Sequence, residues 1–178
     1  MQRYSTVRGR RLSGYEQILE RFASSRAGAW LFLNVFNPID RRLLPFTRGR
    51  FSLAVGAPVG MLDATGARSG QPRRTPLLYL ANGDRVVVVA SNGGSPRHPA
   101  WYHNVRAHPD VRFLTRDGRW RTYKARVAAG EERSELWELV NDLYGGYGTY
   151  QVRAGGREIP VVVLEARETD GCEPRPAE

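Results

Sequence analysis

Between Val59 and Ser91 short apolar runs alternate with glycine-bearing turns, and this feature limits the possible folds more than any other. "VGMLDAT", "TPLLYL" and "RVVVVAS" have strand length, and "GARSGQPRR" and "ANGD" are turn signals, so the region reads as three strands in two hairpins. Downstream, "VRFLTRDG" and "RWRTYKARVAA" make a further hairpin turning at Asp117-Gly118, and "IPVVVLEA" is a last buried strand. About six strands with few helices and mostly antiparallel hairpins argue against a doubly wound α/β fold. They predict a mainly β protein, a small barrel with helices packed outside.

The helical signals lie around these strands. "GYEQILERFASSRAGAWLFLNVFNP" suggests one or two amphipathic helices ending near Pro38. "IDRRLLPFTRGRF" mixes Arg with Leu and Phe; it reads either as a lid or anchor on anionic lipid, or as a helix laid across its own barrel. "EERSELWELVNDLYGGY" puts Leu136, Val140 and Leu143 on one stripe and opens with acids at the positive end of the helix. The expected organisation is a basic segment with an amphipathic helix over 1–50, the barrel over 51–168, and a flexible tail over 169–178.

The formal charge is +9, and Lys124 is the only lysine, so the excess is arginine. Nucleic acid, an anionic membrane surface and a small acidic ligand held by forked guanidinium groups all suit such a chain. Cys172 is the sole cysteine and lies in the tail, which excludes a disulfide and a Cys-based zinc site and fits a reducing interior. "AWLFLNVF" is too short to span a bilayer, so a cytoplasmic location is expected, compatible with peripheral contact at the inner face of the membrane.

Dinucleotide, Walker, zincin and nucleophile-elbow motifs are all missing. His98, His103 and His108 are spaced by five, which puts them on no common helical face, so no metal site is expected. Instead the two His-Pro pairs bracket a short helix, "AWYHNVRAH", with Pro99 near its first turn and Pro109 just past its end.

Three segments carry the chemistry. "TGARSGQPRR" joins two strands and offers backbone N–H groups, the Ser69 hydroxyl and Arg68, Arg73 and Arg74, the ingredients of an anion-binding nest. "SNGGSP" follows a buried strand and leads into a helix start with Trp101, Tyr102 and Asn104, a setting for a flat polar heterocycle with a phosphate. "LYGGYGTYQ" spaces Tyr144, Tyr147 and Tyr150 by three among glycines, which reads as a mobile aromatic wall over a pocket or as a frayed helix end.

Taken with "REIPVVVLE", these pieces resemble, in order from Leu62 to Glu165, the deazaflavin (coenzyme F420)-dependent nitroreductases, also called F420H2-dependent quinone reductases, of actinobacteria. The resemblance implies a split β-barrel related to FMN-binding oxidases. It also implies coenzyme F420 (an 8-hydroxy-5-deazaflavin with an acidic tail) as cofactor, and hydride transfer to a quinone-like or nitroaromatic acceptor. By position, it assigns cofactor contacts to Ala67, Arg68, Ser69, Arg73, Arg74, Thr75, Pro76, Leu77 and Leu78, to Val89, Ala90, Ser91 and Asn92, and to Ala100, Trp101, Tyr102, His103 and Asn104. Tyr147 would lie near the deazaflavin ring and act first in catalysis, with Ser91, Tyr144 and Tyr150 on the substrate side. Leu78 stands where some relatives have a tyrosine, and Asn92 where some have a lysine. An FMN enzyme on the same barrel and a basic nucleic-acid-binding module remain as alternatives, with nucleic acid not the expected partner.

Overall fold

The computed structural model describes residues 58–167; the amphipathic helix and the basic patch expected before Phe51, and the tail, lie outside the described residues. The strands are β1 (Val59–Thr65), β2 (Pro72–Asn82), β3 (Arg85–Val89), β4 (Asp110–Leu114), β5 (Trp120–Val127) and β6 (Val161–Ala166). Every neighbouring pair is antiparallel, and the order β1-β2-β3-β6-β5-β4 closes on itself as a barrel. The mainly β barrel expected from the turn spacing is therefore what forms.

Alternation of side chains along each strand divides the protein into an inside and an outside. Leu62, Ala64, Tyr79, Val86, Val88, Val111, Phe113, Tyr123, Ala125, Val162 and Leu164 fill the barrel interior. The intervening Val87, Val89, Val161 and Val163 face outward, yet they too are buried, because helices cover that side. This two-sided burial explains why "RVVVV" and "VVVL" are unbroken apolar runs and show no polar alternation.

Three α-helices complete the described fold: α1 (Ala100–Ala107), α2 (Gly130–Leu143) and α3 (Gly146–Arg153). Pro99 caps α1 with an extended backbone (φ −68°, ψ 153°), and Pro109 follows its end, as the His-Pro pairs predict. Its Trp101, Tyr102 and Val105 are buried against the barrel interior and close one end of it. Glu131 and Glu132 lie in the first turn of α2, where the helix dipole favours them.

Two boundaries differ from the sequence reading. The expected helix over 131–147 breaks at Tyr144, whose backbone is extended (φ −151°, ψ 100°), and α3 begins two residues later. The tyrosine segment is thus neither a frayed end nor a loose wall: Tyr147 and Tyr150 are 5% and 7% exposed on an ordered helix. Each glycine costs a helix about 1 kcal/mol, but burying one large side chain returns about 1.5–3 kcal/mol, so packing overrides propensity. Likewise β2 begins at Pro72, and Arg73 and Arg74 belong to the strand, not to the turn.

Candidate functional site

Antiparallel order puts the β1–β2 hairpin, the β3–α1 connection, α1 itself and the approach to β6 at the same end of the barrel. At the hairpin, the Gly66 amide donates to the Gln71 carbonyl and the Gly70 amide to the Gly66 carbonyl, each at 2.9 Å, which makes a tight turn. The Ala67 amide donates to Asn104 Oδ1 at 3.0 Å, tying this turn to α1. Ser69 Oγ accepts from an Arg73 Nη at 3.3 Å and from the Gln71 amide at 3.4 Å. Arg68, Ser69 and Arg73 are exposed, and the amides of Arg68 and Ser69 have no protein acceptor among the described residues. This donor set suits an anion.

Arg74 points elsewhere, as a neighbour on a strand must. It pairs with Asp63 at 3.5 Å and lies over the Trp120 ring at 5.7 Å, so the structure separates it from Ser69 and Arg73. Pro76 is buried, Thr75 is half-buried and Leu77 packs against the barrel interior. Leu78 faces outward and touches the cluster that contains Tyr144, Tyr147, Tyr150 and Val89.

Trp101 and Tyr102, expected to face a ligand, lie within the core of the barrel. They are 6% and 7% exposed, so their side chains seal the barrel. Of the α1 residues assigned to the cofactor, Ala100 and His103 lie at the surface and Asn104 partly so.

The turn after β3 is the most heavily braced part of the site. Asn92, Gly93 and Gly94 form a 3-10 turn, with Asn92 at φ 51°, a left-handed conformation that asparagine tolerates. Asn92 Nδ2 donates to the Arg97 carbonyl at 3.1 Å, so its side chain serves the loop itself. Gly94 is buried at φ 78°, and a Cβ there would meet the Tyr150 carbonyl oxygen at 2.9 Å. Arg153 of α3 donates to the Gly93 carbonyl at 3.2 Å. The turn and the tyrosine helix are therefore one packed unit.

Sequence reasoning missed Arg157. Its guanidinium reaches back across the turn to donate to the Ala90 carbonyl at 3.2 Å, Ser91 at 2.9 Å and Ser95 at 2.8 and 3.0 Å. It also bonds His98 Nδ1 at 3.1 Å. A guanidinium only donates, so Nδ1 is the bare acceptor nitrogen of a neutral imidazole. A lone arginine after two glycines carries no pattern that would have disclosed this.

The three tyrosines form one aromatic cluster. Tyr144 and Tyr147 rings meet edge to face with centroids 5.2 Å apart, and the Tyr144 and Tyr150 hydroxyls are 3.1 Å apart. Gly146 makes this possible, since a Cβ there would overlap the Tyr144 ring. Burial raises the pKa of Tyr147 and of Tyr150 above the ordinary phenol value, and electrostatic repulsion from Tyr150 adds to the rise at Tyr147. Both therefore remain protonated donors at neutral pH. No group of three or more metal-binding side chains converges among the described residues.

A family model described as F420H(2)-dependent quinone reductase matches residues 47–166. The chain belongs to this family. It is 42% identical over 125 residues to an F420H(2)-dependent quinone reductase of Mycobacterium tuberculosis, covering 68% of this chain and 83% of that one. A second, putative F420H(2)-dependent quinone reductase of the same organism is 34% identical over 110 residues, covering 62% of this chain and 91% of its own length. A solved F420-H2 dependent reductase superposes with a TM-score of 0.56 at 37% identity, over 61% of this chain and 94% of that chain.

As a member of the F420H(2)-dependent quinone reductase family, the protein is an oxidoreductase that depends on coenzyme F420. The barrel agrees with the split-barrel fold that the motifs implied. The FMN and nucleic-acid readings are not favoured. No helix among the described residues is long and apolar enough to cross a membrane.

Proposed function

We propose that the chain binds F420 along the barrel end formed by the β1–β2 turn, the Ala90–Asn92 strand exit and α1, and reduces a quinone beside Tyr147. The observation that carries this reading is the packing of the braced turn against the tyrosine helix through Gly94 and Arg153, which joins into one unit the two segments the proposal assigns to cofactor and substrate. The donor chemistry fits the cofactor: the exposed Arg68, Ser69 and Arg73 suit its anionic phosphate and tail.

When bound, reduced F420 supplies a hydride from its deazaflavin C5 and loses one proton, which together convert a quinone to a quinol. The chain supplies position and hydrogen bonds. The Tyr147 hydroxyl, kept protonated by burial, donates to the acceptor oxygen as negative charge develops there. The Tyr144 and Tyr150 hydroxyls, 3.1 Å apart, add two further phenols beside it. Ser91, half-buried at the strand exit, is a further hydroxyl that the proposal assigns to the substrate side. Leu78 makes the adjoining wall apolar, which suits the carbon face of a quinone ring.

The test is a fluorescence titration of the purified protein with oxidised F420 and, separately, with FMN, followed by F420H2 oxidation with menadione and with a nitroaromatic acceptor. Tight F420 binding, weak FMN binding and menadione turnover support the proposal; preference for FMN sinks it. The nitroaromatic arm decides whether the acceptor range extends that far. Peripheral membrane contact through residues 1–50 is an extension that sedimentation with anionic vesicles would test, and absence of binding would remove it.

A further inference from the structure

We infer that Arg157 is a positioning residue for cofactor binding: it fixes the backbone of the Ala90–Ser95 turn in the conformation that receives F420. The inference rests on the placement of the cofactor against Ala90–Asn92 proposed above.

Five short contacts support it. One guanidinium joins the carbonyls of Ala90, Ser91 and Ser95 and the ring nitrogen of His98. Arg153 takes the Gly93 carbonyl. Four carbonyls of a six-residue stretch are thereby bound to two arginines that come from beyond the tyrosines in sequence. The amides of Ser91, Asn92 and Gly93, by contrast, have no protein acceptor among the described residues. A turn with its acceptors occupied and its donors available favours a ligand that accepts hydrogen bonds, which the carbonyls and phosphate of a deazaflavin do.

Besides Arg157, the turn is held by its own short-range bonds, by the Asn92 side chain on the Arg97 carbonyl, and by Arg153 and the packing of Gly94 on α3. It is short, it carries a non-glycine residue at φ 51°, and it lacks a side-chain cap. A conformation of that kind persists only where the surroundings over-determine it. Arg157, on the return to β6, bonds both this turn and His98 at the entry to α1, so its loss would loosen the link between those two segments. Lysine cannot replace it, because a single ammonium has neither the planar fork nor the number of donors needed.

The experiment compares wild type, Arg157→Met and Arg157→Lys by F420 fluorescence titration, steady-state kinetics with F420H2 and menadione, thermal unfolding, and hydrogen exchange of residues 90–97. Both variants are expected to weaken F420 binding at least about tenfold and to raise the KM for F420H2, with the KM for menadione within about twofold of wild type. Hydrogen exchange of residues 90–97 should quicken while the strands stay protected. A variant that folds and binds F420 within about twofold of wild type overturns the inference. If Arg157→Met does not fold, Arg157→Lys is judged by the same thresholds. If wild type binds no F420, the cofactor placement fails first and the inference falls with it, a result distinct from the failure of Arg157 alone.

Discussion

The amide of Ala67 donates to Oδ1 of Asn104 at 3.0 Å, so the tip of the first hairpin is held by a side chain from α1. Two segments 37 residues apart in sequence thus share one wall of the proposed site. Asn104→Ala removes the tether at an exposed position, so the stability cost is about 0.5–1.5 kcal/mol. The loosened turn should weaken F420 binding about fivefold or more, measured by fluorescence titration, with turnover at saturating cofactor nearly unchanged. Unchanged affinity would show that the hairpin tip takes no part in binding.

Trp101 makes the opposite prediction. Because it plugs the barrel, Trp101→Ala should cost about 3–5 kcal/mol in denaturant unfolding through the cavity it leaves. Trp101→Phe, which refills most of that space, should recover much of the stability. A stable Trp101→Ala protein with lost F420 binding would instead return this side chain to the ligand.

Tyr147→Phe separates chemistry from binding. Loss of the hydroxyl that stays protonated in the aromatic cluster should lower kcat with menadione about tenfold to a hundredfold and leave F420 affinity within about twofold. Equal rates in wild type and variant would move the proton donor to Tyr144, Tyr150 or Ser91.

The barrel was legible in the sequence because its signals are local: alternation, β-branched runs and glycine turns repeat at strand spacing. The Arg-rich start of β2 was not, since exposed arginines look like loop although a strand with one open face accepts them. The helix carrying Tyr147 and Tyr150 was hidden for a related reason. Its glycines oppose a helix locally, and only burial against β6 and against β3, which lies far upstream in sequence, reverses the balance. Arg157 was least legible of all, because its partners are backbone carbonyls about sixty residues upstream, and a carbonyl leaves no trace in a sequence.

His98 gives the turn a pH dependence. Burial, and then the Arg157 guanidinium, His103 and Arg106, hold its imidazole below the ordinary value of 6.5; the Tyr102 ring, 4.7 Å away, completes its surroundings. The unfolded chain therefore binds the proton first. This contribution to stability is present above about pH 6.5 and is lost as pH falls through the depressed folded value. Urea midpoints should drop from about pH 7.5 to about pH 5.5, and His98→Gln should flatten part of that slope. An identical slope in the variant would assign the dependence to other groups.

The barrel closes where β1 meets β4, and that seam pairs only Met61, Leu62 and Asp63 with Leu114, Phe113 and Arg112. Gly60 permits the approach: a Cβ there would overlap the Phe113 ring and meet the Leu114 carbonyl oxygen at 2.6 Å. The chain looped out between the two strands contains the hairpin tip, the braced turn and α1, the whole proposed cofactor cradle except for the tyrosines and the arginines behind them. The seam is therefore a clasp on the binding loops as well as on the barrel. A molecule held by those loops binds only the closed barrel, so its affinity adds to the stability of the seam as well as of the site.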